Sequence, residues 1–364
     1  MQFRAINIPC ESCGAYMVFS PKEGELHCDF CNSTADIPMG RGVFSEDYNS
    51  AVHSHPMLYE DDNQNKIIIK EVTCKKCNAR FKLAPQRFSD LCPYCQTPVI
   101  IDCIQDITPH GILPFLITQK EAQDRFKIWV GSRWFAPDAF KQYLDESKKL
   151  IGYYFPFWSY DTRTITNYQG QRGDAYFVTV NQTVIVNGKK ESRRVQERRI
   201  KWSHASGMVE VSFDDLTVGA SNTIIRKRLD EIEPWYCDEV QEFNIKYISG
   251  FIAEEYTLEL DDGFEIAKDK MYPIIKREVE LDIGGDEQII DNMQTQYHNI
   301  GYKNLLFPVW TASFYYERKD YYYAINARNG KIVGDRPYSY IKITFAIIGV
   351  LVILGIIYYL TKQP

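Results

Sequence analysis

Eight of the ten cysteines form two copies of one pattern, in which Cys-x2-Cys is followed after fourteen residues by a second Cys-x2-Cys. The x2 spacing lets a tight turn, a knuckle, aim two thiolates at one metal ion. Two knuckles brought together by a short hairpin complete the tetrahedron that Zn²⁺ prefers. We therefore predict two zinc ribbons, each with one structural Zn²⁺. The first set of ligands is Cys10, Cys13, Cys28 and Cys31, and the second is Cys74, Cys77, Cys92 and Cys95.

Other uses of these thiols fit the sequence less well. A disulfide framework needs an oxidising compartment, whereas the C-terminal segment predicts a cytosolic location. The segment Cys92-Pro93-Tyr94-Cys95 resembles a redox dithiol, but that chemistry needs a following helix, and Pro98 comes at once. A closed site of four thiolates leaves no open coordination position, so we expect the ions to fold the ribbons and not to catalyse.

The knuckles are followed by Gly14, Asn32, Asn78 and Gln96, and Gly and Asn readily adopt a left-handed turn.

Two histidines and two cysteines lie outside these sets. His53 and His55 fall between the ribbons, and we expect them to be loop residues and not ligands. Cys103 and Cys237 have no partner cysteine at ligand spacing. We expect both to be plain buried thiols.

No enzyme class is indicated by the sequence. It contains no phosphate-binding P-loop, no Gly-x-Ser-x-Gly elbow and no His-Glu-x-x-His helix. Asp214-Asp215, Glu254-Glu255 and Asp261-Asp262 are adjacent pairs. Neighbouring side chains point apart on strands and helices, so these pairs make poor acid–base dyads. We expect a protein without catalytic residues and without a small-molecule substrate.

A cluster of basic residues follows the hairpin signal Asn187-Gly188, opposed only by Glu191 and Glu197. A solvated face, or protection of a sheet edge, is the ordinary reason for such a cluster. Contact with anionic lipid headgroups is a more specific interpretation, and contact with nucleic-acid phosphates is a third. The cluster consists of Lys189, Lys190, Arg193, Arg194, Arg198, Arg199 and Lys201.

The C-terminal segment predicts one membrane span. Residues from Ile343 to Leu360 carry no charge, and a helix of that length reaches about 27 Å, close to the ~30 Å hydrocarbon core of a bilayer. Basic residues precede the span at Arg328, Lys331, Arg336 and Lys342. Only Lys362 follows it, so the positive-inside rule keeps the large N-terminal part in the cytoplasm. The N-terminus lacks a signal-peptide pattern. We predict a tail-anchored, single-pass protein of the cell membrane.

The elements that position these features are predicted from composition and periodicity. The chain has 364 residues, of which 45% are hydrophobic and 14% aromatic, which excludes general disorder. Its net charge of −6 provides no overall basic field for nucleic acid. We predict an α+β protein with two small four-cysteine zinc ribbons, a helical linker, a mainly antiparallel β module and one C-terminal transmembrane helix. The predicted segments are 1–40 (ribbon 1), 41–69 (inter-ribbon linker), 70–102 (ribbon 2), 103–152 (helical connector), 153–336 (β-rich module with one inserted helix) and 341–361 (transmembrane helix).

Helix and strand signals divide the part after the ribbons. A capping box from Thr118 to Glu121 begins one helix, and Pro137 suits the first turn of a second. A third helix is predicted over residues 262–281. Strands are predicted at 176–186, 195–202, 288–299, 305–317 and 321–326. Phe155-Pro156-Phe157-Trp158 returns as Phe307-Pro308-Val309-Trp310, which suggests two halves of one β sandwich or barrel.

Four further stretches, together with the paired ribbons, carry a family resemblance. They are Ile112–Phe115, Arg133–Pro137, Tyr247–Glu254, and Phe307–Trp310 running on to Asn329–Asp335. With these motifs the chain resembles bacterial tail-anchored double zinc-ribbon proteins, which are often labelled primosomal-helicase-like or TFIIB-type zinc-finger proteins. The resemblance implies association with an SPFH-domain (flotillin-like) partner and, through it, with phage-shock-protein-A-like membrane-stress proteins. The only site residues that the resemblance implies for this chain are the eight ligand cysteines.

The sequence thus favours a non-enzymatic, membrane-anchored scaffold whose ribbons dock cytosolic partner proteins. The alternative is a membrane-tethered nucleic-acid-binding protein. The first ribbon is acidic, which argues against that alternative. The second is better suited to phosphate, with Lys75, Lys76, Arg80, Lys82 and Arg87.

Overall fold

The structure is a computed structural model of the 364-residue chain. It describes all residues except 1, 4, 39, 41, 55–69, 103–106, 133–136, 138–149, 187–188, 222–225, 317, 336–337 and 363–364. Side chains are also outside the description at 2–3, 53–54, 184–186, 189–191, 226–227, 314–316, 320 and 362. The predicted helix after Pro137, the Asn187-Gly188 turn, His55 and Cys103 therefore lie outside the described residues.

Strands and helices are mixed along the chain, as the predicted α+β class requires. The strands are β1 Gln2–Phe3, β2 Val18–Ser20, β3 Glu25–His27, β4 Thr34–Ala35, β5 Glu46–Asp47, β6 Lys70–Thr73, β7 Arg80–Leu83, β8 Arg87–Leu91, β9 Pro98–Ile100, β10 Gly111–Ile112, β11 Ile151–Val186, β12 Lys189–Gly219, β13 Gln241–Glu242, β14 Ile252–Glu254, β15 Glu287–Tyr316, β16 Lys319–Asn326 and β17 Ile332–Gly334. The helices are α1 Tyr48–Ser54, α2 Gln119–Gly131, α3 Arg226–Glu231, α4 Leu260–Ile283 and α5 Tyr340–Lys362. His53, expected in a loop, lies in α1.

Two copies of one unit, a short strand, a helix and a hairpin, build the part of the molecule after the ribbons. The first copy is β10, α2, β11 and β12, and the second is β14, α4, β15 and β16. The short strands are exchanged between the copies, each running parallel to the long strand of the other. Ile112 of β10 lies beside Leu306 of β15, and Ala253 of β14 lies beside Tyr154 of β11. Both copies belong to one sheet, which also includes β5, β8, β9, β13 and β17.

The repeated Phe-Pro motif lies where the two copies meet. Phe155 of β11 is directly opposite Phe307 of β15 in an antiparallel pair. In each copy the proline carbonyl accepts a hydrogen bond from the backbone N–H of the alanine that directly follows the returning strand: Ala220 to Pro156 at 2.9 Å, and Ala327 to Pro308 at 3.1 Å. The two predicted halves are therefore present. They are neighbours in one mixed sheet and not the layers of a sandwich, because their long strands pair with each other.

Three strands are far longer than predicted. β11, β12 and β15 have 36, 31 and 30 residues, against a usual length of about five or six. The segments predicted at 176–186 and 195–202 are parts of β11 and β12, and those at 288–299 and 305–317 are one strand, β15. Asn299 has a left-handed φ of 52°. The register shifts there, so a residue that signals a turn forms a β-bulge within a continuous strand.

Helix α4 confirms the helix predicted over 262–281 and packs on the long strands. Its buried face includes Phe264, Ala267 and Met271, spaced by three or four residues as an amphipathic helix requires. Hydrogen bonds fix its beginning, because Trp158 Nε1 donates to the carbonyl of Leu258 at 2.8 Å and the Tyr160 hydroxyl donates to the carbonyl of Leu260 at 2.6 Å. The helix thus covers the sheet beside the repeated motif.

The predicted capping box at the start of α2 is confirmed. The Thr118 hydroxyl accepts the backbone N–H of Glu121 at 3.3 Å, and the Glu121 carboxylate accepts the N–H of Thr118 at 2.8 Å. Phe126 packs edge-on against Tyr323 of β16, with ring centroids 4.9 Å apart. The first helix of the connector is therefore fixed on the second hairpin.

The two cysteine-containing segments share a hydrophobic core with each other and with the sheet. Strands β2 and β3, between Cys13 and Cys28, form a small sheet with β4, which follows Cys31, and β1 runs parallel to β6 just before Cys74. Ile6 pairs with Ile100 through backbone hydrogen bonds in both directions. One core cluster includes Leu26, Val72 and Tyr154. The ribbons are therefore packed units of the fold.

Candidate metal centres

The four cysteines of the first set converge on one point. Cys10 Sγ lies 3.6 Å from Cys31 Sγ, and Cys13 Sγ lies 3.6 Å from Cys28 Sγ. A tetrahedral ion with metal–sulfur bonds of about 2.3 Å places its sulfur ligands about 3.8 Å apart, whereas a disulfide requires about 2.05 Å. All four Sγ atoms are within 4.8 Å of one another. The spacing therefore suits a metal ion and not a pair of disulfides.

The second set repeats this geometry. Cys74 Sγ lies 3.6 Å from Cys95 Sγ, and Cys77 Sγ lies 3.8 Å from Cys92 Sγ. In both sets the first and third cysteines are buried and the second is exposed. The structure thus brings each predicted set of four together, and both sets are suited to hold a metal ion.

All four knuckles have the same backbone conformation. The N–H of the residue after each second cysteine donates to the carbonyl of the first cysteine, at 2.8 to 2.9 Å. This closes a turn only if that residue adopts a left-handed φ, and the observed values are 76°, 58°, 54° and 58°. Gly14, Asn32 and Asn78 are of the residue types expected in this turn, and Gln96 adopts the same conformation.

One hydroxyl lies beside the thiols of each set. Ser33 Oγ is 3.0 Å from Cys10 Sγ, and its hydrogen bond lowers the pKa of Cys10 to about 6, assisted by the backbone N–H of Cys13. Thr97 Oγ1 is 3.2 Å from Cys95 Sγ and lowers the pKa of Cys95 to about 6 in the same way. Because the thiolate is the form that binds metal, these hydroxyls favour the binding form of Cys10 and Cys95. In the same sets, against backbone hydrogen bonds that lower it, burial and the neighbouring cysteines raise the pKa of Cys13 and Cys77 to about 12. Sequence reasoning missed Ser33 and Thr97, although each lies two positions after a ligand.

Each metal site presents an exposed aromatic residue at the same position of its second knuckle. Phe30, between Cys28 and Cys31, is 81% exposed, and Tyr94, between Cys92 and Cys95, is 70% exposed. The first knuckles differ in charge, because ribbon 1 has exposed Glu11 there. Ribbon 2 has Lys75 and Lys76 at the matching positions, both exposed. The two tips are thus alike in shape and opposite in charge.

The predicted basic cluster lies on β12. Arg193, Arg194, Arg198, Arg199 and Lys201 are exposed there, and Lys189 and Lys190 belong to the same strand, with side chains outside the description. Two of these guanidinium groups form ion pairs. Arg198 is 2.7 Å from Glu287, and Arg199 is 3.4 Å from Glu197. Because these are exposed pairs, they are expected to stabilise the strand only weakly.

One acidic pair has a neighbour that the sequence did not reveal. Asp161 of β11 comes within 4.8 Å of Asp214 and Asp215. Lys303 contacts Asp215 and lies 3.5 Å from Asp161, so the cluster contains its own cation. Burial, followed by the proximity of Asp161, raises the pKa of Asp214. The adjacent pair Asp214-Asp215 did not by itself indicate this cluster, because the third carboxylate, Asp161, comes from another strand.

The Glu254-Glu255 pair is buried beside the second ribbon. Glu255 accepts a hydrogen bond from Lys70, the first residue of β6. Glu254 is 4% exposed, and burial raises its pKa to about 7, an effect that Arg87 opposes and Asp90 assists. The Lys70–Glu255 contact therefore joins β6 to the segment after β14. Cys237 is partly buried, and burial raises the pKa of its thiol to about 12.

Helix α5 is long and apolar enough to cross a membrane. An 18-residue stretch within Tyr340–Thr361 has a mean hydropathy of 2.6 and is not buried against the rest of the described chain. A core helix of a soluble protein can have similar length and composition, but it would be buried. The predicted span is thus present as an exposed apolar helix.

Comparison with known proteins identifies a relative in a bacterium. The chain is 26% identical over 236 residues to the uncharacterized protein YdjG of Bacillus subtilis (strain 168). The match covers 64% of this chain and 65% of that protein, so it spans less than two thirds of the relative's length. No family model matches the chain, and no solved structure matches it. The relative's name states no activity, so function has to be argued from the two metal sites and the apolar helix.

Proposed function

We propose that the protein is a non-enzymatic, membrane-anchored scaffold whose two zinc ribbons dock cytosolic partner proteins. The observation that carries this proposal is the pair of exposed aromatic residues, Phe30 and Tyr94, at matching positions beside the two metal sites. Exposed aromatic side chains on a rigid support are typical of the residues that dominate binding energy in protein interfaces.

The metal in both sites is proposed to be structural Zn²⁺. Four thiolates in a tetrahedron are the usual donor set of structural zinc, and softer ligands of this kind disfavour calcium and magnesium. With all four positions filled by protein, the ion has no place for water or substrate. It would hold each knuckle rigid, which a core of this size could not do alone.

The apolar helix α5 is proposed to anchor the protein in the cell membrane. More basic residues precede the uncharged segment Ile343–Leu360 than the single Lys362 that follows it, which favours an N-terminal part in the cytoplasm. The ribbons would then be held on the cytosolic side, where partner proteins can reach them.

The partners are proposed from the family resemblance. An SPFH-domain protein is the expected direct partner, and a phage-shock-protein-A-like protein would join through it in a membrane-stress complex. The opposite charges at the two ribbon tips suggest that the ribbons contact different surfaces, with Lys75 and Lys76 facing an acidic one.

Co-purification of the full-length protein in mild detergent with a co-expressed SPFH-domain protein tests the proposal. Phe30→Ser and Tyr94→Ser are compared with Phe44→Ser, which alters an aromatic residue that is 78% exposed but lies outside the knuckles. We expect one knuckle variant to lose the SPFH-domain protein while keeping two zinc ions per chain, and the Phe44 variant to retain it. Equal recovery with all three variants would refute docking through the ribbon tips.

Nucleic-acid binding by the second ribbon is the other candidate. Lys75, Lys76, Arg80 and Lys82 are exposed around that site. Binding of DNA or RNA at low salt that weakens steeply as salt increases would favour it, since released counterions drive such binding. Absence of binding at low salt would exclude it.

A further inference from the structure

The hairpin of β11 and β12 extends well beyond the strand that supports it. β15 begins at Glu287, opposite Gly173. The thirteen pairs beyond that point join Asp174–Val186 to Lys189–Lys201. We call this two-stranded part of the hairpin the distal arm. At about 3.3 Å per residue it is roughly 40 Å long.

The repeat architecture does not require this extension. In the second copy of the unit, the outgoing strand β15 ends at Tyr316, six residues after Trp310. In the first copy, β11 continues from the equivalent Trp158 to Val186. A two-stranded hairpin without a third strand is only marginally stable in water. Beyond Ala175, whose N–H donates to Asp286, no third strand among the described residues pairs with either edge of the arm. The extra length therefore calls for a functional explanation.

The arm has exposed aromatic residues among its cations. Directly opposed residues share one face of a β-hairpin, so Phe177 and Arg198 lie together on one face of the arm. Tyr176 and Arg199 lie together on the other. Phe177 is 63% exposed and Tyr176 45%. Between Lys189 and Lys201 the sequence has seven basic and two acidic residues. Both faces thus combine apolar area with positive charge.

The arm and the apolar helix lie at opposite ends of the long strands. The chain enters α5 soon after Gly334, which pairs with Tyr323, and Tyr323 pairs with Ala312 of β15. The arm starts at the other end of β15, opposite Glu287. Along the strand, Ala312 and Glu287 are separated by on the order of 80 Å.

We propose that the distal arm is a docking site for an acidic, extended segment of a partner protein, which adds as a strand to one open edge of the arm. Backbone groups of the arm supply the hydrogen bonds, the basic side chains select the charge, and the aromatic residues bury apolar side chains of the segment. Pairing between the β12 edges of two copies of this chain is disfavoured, because it would place like charges opposite each other. This inference goes beyond the proposed docking by the zinc ribbons and does not depend on it.

Hydrogen exchange measured on the full-length protein in phosphatidylcholine nanodiscs tests the proposal. The probe is a dodecapeptide of alternating valine and glutamate, and the matched peptide has lysine in place of glutamate. The arm variant is Arg193→Glu/Arg194→Glu, since Arg198 and Arg199 already have carboxylate partners. Lys120→Glu/Arg277→Glu makes the same charge change at two exposed positions on α2 and α4 and serves as the control.

We expect the acidic peptide to slow amide exchange in residues 174–201 and the basic peptide not to do so. The arm variant should bind the acidic peptide about tenfold more weakly or worse, while the control variant binds as the wild type does. Unchanged exchange with the acidic peptide, or equal binding by the arm variant, would overturn the proposal. Protection that appears only when anionic phosphatidylglycerol enters the nanodisc would assign the arm to lipid and overturn it as well. Protection by an RNA oligonucleotide and not by the acidic peptide would assign the arm to nucleic acid and would also overturn the proposal. In each case the zinc ribbons remain intact, so docking by Phe30 or Tyr94 is judged separately.

Discussion

Lys70 donates a hydrogen bond to Glu255 at a place where both side chains are almost completely buried, 1% and 5% exposed. Lys70 begins β6, which leads into Cys74, and Glu255 follows β14 of the second repeat. Lys70 also donates to the backbone carbonyl of Arg87 at 3.1 Å. This ion pair therefore attaches the second ribbon to the sheet.

Breaking that ion pair is expected to destabilise the junction strongly. In Lys70→Met, the Glu255 carboxylate stays buried without its cation, and such a loss costs about 3–5 kcal/mol. Urea unfolding of the detergent-solubilised protein measures the change. The double variant Lys70→Met/Glu255→Leu should recover most of the stability, because it removes both charges. A double variant as unstable as the single one would contradict this explanation.

Glu254 should make stability depend on pH near neutrality. Its pKa of about 7 in the folded protein lies above the usual 4.5 because burial disfavours the charged form. The folded state therefore binds the proton more tightly than the unfolded state. The stability from this proton is complete below about pH 4.5 and is lost as the pH rises through 7. Glu254→Gln should be more stable than the wild type above pH 7, by about 2–3 kcal/mol.

The Glu254 prediction is checked by comparing urea midpoints of the two proteins between pH 5 and pH 8. Zinc release at low pH affects both proteins alike, so only their difference is interpreted. That difference should grow as the pH rises. A difference that is constant with pH would show that Glu254 keeps an ordinary pKa.

Loss of one ligand should affect its own ribbon first. Cys28→Ser is expected to reduce the zinc content from two ions per chain to one and to increase amide exchange around β2, β3 and β4, because metal binding and folding are coupled in such small units. Mass spectrometry of the metal content and of exchange measures both. Cys92→Ser is the matched variant for ribbon 2. Loss of both ions from either variant would show that the ribbons fold as one unit.

Gly263 in α4 should not tolerate the substitution that usually strengthens a helix. An added methyl group would meet the Tyr160 hydroxyl and come within 2.7 Å of Trp158 Cδ1. Gly263→Ala is therefore expected to destabilise by about 1–3 kcal/mol, although alanine normally favours a helix by about 1 kcal/mol. Gly131→Ala at the end of α2 is the control, since nothing lies within 4 Å of its added methyl group. Thermal unfolding compares them, and a Gly263→Ala protein as stable as the control would refute the close packing.

Local features were predictable because they depend on residues close in sequence. The cysteine spacing and the residues after each knuckle predict the metal sites, and Thr118 with Glu121 predicts the start of α2. The pattern of α4 is periodic enough to predict the helix, although Ile274 within it is 45% exposed.

The strand lengths were not predictable for a physical reason. β11 is continuous through Gly170 and Gly173, which read as turn residues in isolation. The Cβ of an alanine at Gly170 would clash with the backbone of Ile289 on β15. Glycine is therefore required at position 170 because a strand more than a hundred positions away in sequence approaches it closely. No local sequence pattern contains that information. The carboxylate neighbours of Asp214 and the partner of Lys70 were missed for the same reason.

The matching registers around Phe155 and Phe307 suggest how the molecule arose. Two hairpins with the same proline–alanine contact and the same exchanged short strand are best explained by duplication of one ancestral gene segment. The long copy is elongated between Trp158 and Val218, and β15 and α4 pack on the elongated strands as far as Gly173. The distal arm beyond Gly173 is then the removable part, and a chain shortened at the arm should still fold around the same core.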